Sequence, residues 1–563
     1  MMKKYFIAIF FYLSNNLFSD TTIVAFNDVH QAFGSLGNNR TVIDTIQFPD
    51  SNAEFSDIIM NVSLGCPTGG CDPWDRKAKI SVMHIGEWYE IGRYVTPYGV
   101  ECGWSFDVTD YRSLLEGDVP LLSYIDTWVQ PGWLVTIEFN FISGTPEHNF
   151  TTVRNIWNYD YVVYGDETNP VNITSVTEYI PMDAEEVYLR MITTGHGQGN
   201  TDNAAEFSYR VHDIFINGEF EFSHDFWRSD CESNSCSPQN GTWQYDRAGF
   251  CPGDKVNHDD FYLSDNSLLG DTIKLDYVLE DYINYCSPNN PSCVNGSTCS
   301  QCDYNNSGHT EPFYYIGSHL IIHTESYYTN ADTYFKIIDQ DSLDQSIELY
   351  LQNYIPLYGF QLRIDLSGLS GIDVSDIEFQ NGSGGRAEES GWTIGVNDSG
   401  MVIGLAQQTG NPIPAGEGIL TSIVWNVQDI SQISGTISIS DLSASGYFGS
   451  EISSEIGSPI LINPNLDIHS SSLVPTNIKL YPAYPNPFNP IVKIPFDINQ
   501  ESIVELSIFD IQGKKVKELV PHQKMNPGKY IIEWNGSLYP SGMYFYTIRA
   551  GTFLQTKKVI LIK

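Results

Sequence analysis

The sequence is poor in positive charge, has no cysteine beyond Cys302, and has one long apolar run, at its start. Lys and Arg number 29 against 69 Asp and Glu, a formal net charge of −40. A polyanion is repelled by most of such a surface, which excludes nucleic acid as an expected partner and fits a neutral or carbohydrate partner, or solubility in salt. No later stretch approaches the ~18 apolar residues of a membrane-spanning helix, so none is expected after the first run. There is no HExxH, no glycine-rich phosphate loop and no Gly-x-Ser-x-Gly elbow, which leaves zinc-protease, nucleotide and serine-hydrolase chemistry without a motif. No cofactor and no metal are implied. His319 and His323 stand four apart on a strand-like stretch, where that spacing reflects face alternation rather than a ligand pair.

What is present favours strands. Hydrophobic content is 41% and aromatic content 13%, and the many Tyr, Phe, Val, Ile and Thr predict a mostly β protein. The length suggests about three to five units. Lys3 and Lys4 followed by the apolar Tyr5 to Leu13 predict a secretory signal peptide over residues 1–19. Export makes the ten cysteines, all between Cys66 and Cys302, disulfide partners. Val135, Ile137, Phe139 and Phe141 alternate with Thr136, Glu138 and Asn140, marking a half-buried strand. Such signals divide the chain into β units over 20–145 and 146–325, with Glu325 to Asp332 read as a linker. A third sandwich over 334–465 is read as a spacer or interaction module; its Tyr354 to Leu366 resembles the early strands of cohesin-like domains.

The stretch that carries chemistry is Cys66-Pro-Thr-Gly-Gly-Cys71-Asp72-Pro73-Trp74-Asp75-Arg76. A cysteine loop bent at Gly69-Gly70 would hold Asp75 at the mouth of the next strand with little freedom. Taken alone, Asp75 beside Arg76 reads as an ion pair holding a turn, Glu206 as a strand-edge carboxylate, and Trp128 as core. The wider pattern reads differently. Cys71-Asp-x-Trp74-Asp75-Arg76 is followed by Gly86 to Arg93, Thr96-Pro97-Tyr98, Asp107 to Asp110, Thr127-Trp128, Ala205-Glu206 with Arg210 and His212, and Asp246 to Gly253. Over residues 20–325 this series resembles the bacterial peptide-N-glycosidase F family, which removes whole N-linked glycans from asparagine.

The resemblance implies an all-β fold of two adjacent eight-stranded antiparallel jelly rolls, with the active site at their junction. It implies a secreted amidase that hydrolyses the asparagine–GlcNAc amide bond, releases intact N-glycans and leaves aspartate; the alternative is a non-catalytic glycoprotein-binding or adhesive protein on the same scaffold. It carries over Asp75, Glu206 and Asp126 as catalytic, Asp126 standing where the family has a glutamate. It also carries over Trp74, Arg76, Trp128, His196, Gln198 and Arg247 as substrate-binding, and the pairings Cys66 with Cys71 and Cys231 with Cys251. The other six cysteines are left without an assigned pairing. His196 and Gln198 lie in Gly195 to Asn200, where the family's best-known member has a Trp and a His, and Ala204 and Ser208 replace two cysteines that bracket the glutamate there. N-glycoproteins and glycopeptides are the expected substrates of a monomer. The last segment, 476–563, with Tyr484-Pro-Asn-Pro-Phe-Asn-Pro490, Gly513-Lys514 and Ser541-Gly-Met-Tyr-Phe-Tyr546, resembles the C-terminal sorting domain of type IX secretion cargo, a small β-sandwich. That implies export across the inner and outer membranes by a secretion machinery.

Overall fold

The computed structural model describes residues 20–563 except 35–37, 50–54, 264–267, 306–307, 342–345, 374–375, 407–410, 427–432, 463–477, 482, 484–487, 501, 526–527 and 552. The expected signal peptide and Tyr484 to Pro487 of the C-terminal motif lie outside the described residues.

Period-two patterning becomes strand after strand: Thr21–Gln31 (β1), Thr41–Gln47 (β2), Phe55–Gly65 (β3), Lys77–His84 (β4), Glu87–Val95 (β5), Cys102–Asp107 (β6), Asp118–Ile125 (β7) and Trp133–Ser143 (β8). β8 buries Trp133, Val135, Ile137, Phe139 and Phe141 in strict alternation, because only one of its faces meets the core. The first sheet has the order β1-β8-β3-β6 and the second runs β2-β7-β4-β5. This is the connectivity of a jelly roll, two Greek keys closed over one core.

A second set follows: Phe150–Val163 (β9), Val176–Tyr179 (β10), Ala184–His196 (β11), His212–Ile216 (β12), Glu219–His224 (β13), Trp227–Arg228 (β14), Arg247–Ala248 (β15), Asp254–Lys255 (β16), Asp259–Tyr262 (β17), Thr272–Val278 (β18) and Phe313–Thr324 (β19). Its sheets, β9-β19-β11-β17 and β10-β18-β12-β13, repeat the same order. β19 is buried along nearly its whole length on both faces. Tyr314, Ile316, Leu320 and Ile322 fill its own roll, whereas Ile321, with Val153 and Tyr188, packs into the core of the first. A strand covered on both sides has no reason to alternate in polarity.

The junction is tied in several ways. β16 pairs antiparallel with β5, Asp254 opposite Val95 and Lys255 opposite Tyr94, so the second unit supplies a strand to the first roll's sheet. Trp104 Nε1 donates to the Gly253 carbonyl at 3.1 Å. Buried Arg93 forms a bidentate pair with Glu90 at 2.6 and 2.8 Å and donates onward to the Ile192 and Tyr315 carbonyls. The ten cysteines form five disulfides: Cys66–Cys71, Cys102–Cys236, Cys231–Cys251, Cys286–Cys299 and Cys293–Cys302. Cys102–Cys236 is a covalent link across the junction.

Thr333 to Ile462 form a further sandwich of a five-stranded and a seven-stranded sheet around Phe335, Leu349, Leu362 and Trp425. The stretch read as a linker is not one. Asn330 accepts the Val153 N–H at 2.7 Å, Thr152 donates to the Tyr328 carbonyl at 3.2 Å, and Arg154 donates to the Asn330 carbonyl at 2.6 Å. Its tyrosines and Asn330 are polar enough to look exposed, yet they meet partners on β9. Residues up to Pro464 cluster as one compact unit and those from Asn465 as another. The latter has a three-stranded and a four-stranded sheet around Leu480, Phe496, Trp534 and Tyr546. Among the described residues, no helix is long and apolar enough to cross a membrane.

Candidate active site

The loop from Cys66 to Arg76 is built to hold still. Gly69 and Gly70 sit at φ +110° and +101°, a region where a side chain is strained, and the Cys66–Cys71 disulfide closes the turn. Asp72, fully buried, accepts from Arg76 Nε at 2.8 Å, Thr127 Oγ1 at 2.6 Å and the Trp74 N–H at 3.0 Å. Asp72 is therefore the anchor that fixes the two residues between which Asp75 stands. Sequence reasoning missed it, although it lies four residues from Arg76.

Asp75 receives the Tyr98 hydroxyl. Burial pushes its carboxyl above the ordinary carboxylate range, while Arg247, Tyr98 and Arg76 pull it back. Tyr98 in turn lies 3.4 Å from Thr242 Oγ1. Arg247, 1% exposed, donates to the Thr242 carbonyl at 3.0 Å and the Tyr245 carbonyl at 3.1 Å, and its Nε donates to Glu206 Oε1 at 3.1 Å. The second Glu206 oxygen accepts the Gly197 N–H at 3.1 Å. A continuous polar chain thus runs Asp75–Tyr98–Thr242–Arg247–Glu206, from the first roll into the second. Burial pushes Glu206 up to about 7 against the pull of Arg247, and the Asp75 charge pushes the same way. Two carboxylates near one guanidinium in a desolvated place divide into a proton holder and an anion.

Beside this chain His196 Nε2 meets Thr194 Oγ1 at 2.9 Å, its ring stacked 5.0 Å from Phe250 and 5.1 Å from Phe313. Burial first, then the Lys77, Arg93 and Arg247 charges, hold it well below the usual histidine range, as a neutral imidazole. Lys77 lies 5.1 Å from the rings of Phe313 and Tyr315. Burial lowers its ammonium, against the pull of Asp126 and Asp160.

The structure gathers Asp75, Glu206 and Arg247, with His196 close by, and places the other expected residues elsewhere. Arg76 does not present a free fork: its Nε is committed to Asp72, and it reaches Asp75 through its charge. Asp126 accepts the Tyr124 hydroxyl at 2.8 Å and Arg40 at 3.3 Å, outside the central chain. Arg40 lies 4.0 Å over the Trp128 ring. Trp128 and Trp74 are 52% and 57% exposed, which corrects the reading of an isolated Trp128 as core. Gln198 is tied through its backbone to Thr310, and its side chain is exposed. Tyr98, Thr242 and Asp72 complete the network; Tyr98 and Asp72 lie in the family-like motifs, and Thr242 in none.

Residues 164–300 match the family model for the C-terminal part of peptide-N-glycosidase F, and residues 482–563 match the model of a secretion system C-terminal sorting domain. Peptide-N(4)-(N-acetyl-beta-D-glucosaminyl)asparagine amidase F of Elizabethkingia miricola is 34% identical over 280 residues, 46% of this chain and 78% of that protein. Among solved structures, a crystal structure of peptide-N(4)-(N-acetyl-beta-D-glucosaminyl) asparagine amidase is 30% identical over 55% of this chain and 98% of that one, TM-score 0.48. PNGase F from Flavobacterium meningosepticum, described as a glycosylasparaginase, is 30% identical over 55% of this chain and 97% of that one, also with TM-score 0.48. With this identity over more than two thirds of the Elizabethkingia protein, the chain belongs to the peptide-N-glycosidase F family.

Proposed function

We propose that the chain is an exported amidase that hydrolyses the bond between an asparagine side-chain amide and the first N-acetylglucosamine of an N-glycan, with Asp75 and Glu206 as its catalytic pair. The observation that carries this reading is the polar chain from Asp75 to Glu206, which exists only where the two rolls meet. The reaction needs a water aimed at the amide carbon, relief of the charge that builds on the carbonyl oxygen, and a proton for the departing glycosylamine. Asp75, whose charge Arg247 and Arg76 favour against its burial, is assigned as the base that takes the proton of the attacking water. Glu206, held near 7, delivers its proton to the amide nitrogen as the C–N bond breaks. The water oxygen stays on the asparagine carbon, which becomes a carboxylate, and nitrogen leaves with the glycan.

Arg247 has its donors committed to Glu206 and the Thr242 and Tyr245 carbonyls, so it works as a fixed positive charge that keeps the developing anion and both carboxylates tolerable in one place. Neutral His196 and the exposed Trp74 and Trp128 are assigned to sugar contact, where flat apolar rings with wet edges suit pyranose faces. Asp126, tied to Arg40, supports that wall from behind. The C-terminal sorting segment routes the protein out of the cell, and glycoproteins or glycopeptides met there are the substrates.

The test is incubation of the full chain with a denatured N-glycoprotein, reading free glycan and conversion of the glycosylated asparagine to aspartate by mass spectrometry. Both are expected from the wild type, and from Asp75→Asn only at a rate lower by about 10² to 10⁴. Binding of the glycoprotein without release at every pH would overturn the amidase reading in favour of a binding protein.

A further inference from the structure

β4 carries two lysines on the face that does not enter its own core. Ala78 and Ile80 point into the first roll, so Lys77 and Lys79 take the opposite side and reach across the junction to rings of β19. Lys77 Nζ lies 5.1 Å from the Phe313 ring and 5.1 Å from the Tyr315 ring, and Lys79 Nζ lies 5.2 Å from Tyr315. The two lysines differ in what holds their charge. Lys79 donates to Asp160 at 2.9 Å. The charges of Asp160 and Asp126 also act on Lys77, but Asp160 is paired with Lys79 and Asp126 with Arg40 and the Tyr124 hydroxyl. The Asp126 backbone N–H meets the Lys77 carbonyl at 3.0 Å. Among the described residues, the Lys77 ammonium therefore rests on rings and is in no ion pair.

An ammonium has three donors, and holding it half-buried without a carboxylate costs free energy that a bound acceptor gives back. Its neighbours say where that acceptor lies. The Phe313 ring also stacks with His196 at 5.1 Å and with Tyr161 at 4.1 Å, and Tyr161 is 51% exposed. Lys77 thus stands one ring from the imidazole assigned to sugar contact, on which its charge acts, and beside Asp126, two residues before Trp128. Asp75 and Glu206 feel Arg247, whereas the carboxylates acting on Lys77 are Asp126 and Asp160, which sets it on the sugar side of the cleft and not at the amide. We infer that Lys77 is a further substrate-contact residue: its ammonium donates to a hydroxyl or acetamido carbonyl oxygen of the two N-acetylglucosamines at the root of the glycan, and governs affinity for them more than the rate of bond cleavage. The inference rests on the amidase reading of this cleft. A neutral sugar oxygen suits the position, because a carboxylate or phosphate brought here would also face Asp126 and Asp160.

The full chain is titrated with N,N′-diacetylchitobiose by calorimetry, and KM and kcat are measured on a glycopeptide. Lys77→Met keeps the length and the apolar stem that covers the rings. It should weaken disaccharide binding about tenfold or more, the usual worth of a hydrogen bond from a charged group, and raise KM by a similar factor with a smaller change in kcat. Lys77→Arg keeps a charged donor and should bind the disaccharide more tightly than Lys77→Met. Thermal midpoints within a few degrees of the parent check that both variants fold. Binding unchanged in Lys77→Met would overturn the proposal, and so would equal losses in Lys77→Met and Lys77→Arg, which would assign the effect to packing. A wild type that binds the disaccharide but releases no glycan overturns the amidase reading alone, and the titration still reads the Lys77 contact. A wild type that releases glycan while Lys77→Met matches its KM overturns the contact alone.

Discussion

At Glu206 the environment sets a pH dependence with a definite sign. Its folded value, about 7, lies above the ordinary 4.5, so the folded protein holds this proton while the unfolded chain has released it. Stability from this group is therefore greatest below about 4.5 and falls as pH rises to about 7, above which it is level. Glu206→Gln should flatten that part of a midpoint-against-pH curve and should abolish release of glycan. Turnover by the wild type should decline above pH 7 as the proton donor is lost. Asp75→Asn should lower the rate by about 10² to 10⁴, the range for removing one general acid or base, with its midpoint within a few degrees of the parent. Asp75, Glu206 and Arg247 were legible because each sat in a motif that ran in family order. Tyr98 was quoted in such a motif without a role, and Thr242 lay outside every motif, because what makes them matter is a contact across the junction that sequence spacing does not encode. That Arg76 is committed to Asp72 was not legible for the same reason: whether a guanidinium faces a cleft or a neighbouring carboxylate depends on which carboxylate is buried.

Among the elements, the run from Gly195 to Glu206 decides how the proton donor is held. Gly197 stands at φ +112°, and a Cβ there would come within 2.6 Å of the Glu311 carbonyl oxygen. Gly197→Ala should therefore shift the N–H that grips Glu206, lowering kcat about tenfold or more with less change in KM, because a misplacement of the order of 1 Å already costs about 10²-fold. The stapled segment Cys286–Cys302 belongs to the same argument. Asn284 and Tyr282 at its base contact the Thr201 backbone, so this disulfide-rich segment braces the loop behind Glu206. Strand existence was readable here from alternation, as in β8, but β19 was readable only as an apolar run, because burial on both faces erases the period. The Cys102–Cys236 pairing was illegible: the two are 134 residues apart, and nothing local selects one partner for Cys102. Replacing both by serine should cost about 2–5 kcal/mol of stability and, by loosening Gln239 from the Tyr98 backbone, should lower activity without altering the Cys66–Cys71 loop.

For the molecule up to Pro464, the third sandwich is fastened to the second roll through a buried charge. Arg154 meets Glu178 at 3.1 Å and Asp332 at 2.8 Å, and its guanidinium lies 4.4 Å over the Tyr354 ring. Arg154→Ala strands two carboxylates and should cost about 3–5 kcal/mol, read as a fall in the midpoint of the whole unit rather than of one sandwich. In the sequence, Glu325 to Asp332 reads only as a linker between two β units. It is rigid because Asp332 and Asn330 satisfy Arg154 and β9, a pairing visible only in three dimensions.

The short strand β16 has a consequence in time. During synthesis the edge of β5 emerges early, and the partner that covers it arrives roughly 160 residues later, about 8–30 s at the usual pace of a ribosome. For that interval the first roll has an open edge, Tyr98 lacks the Gln239 and Thr242 that hold it, and Asp75 has no Arg247 to face. Catalytic competence is therefore a late event in the life of each molecule, reached when the chain returns to its own beginning, and a nascent protein still being made carries the loop but cannot yet cut a glycan.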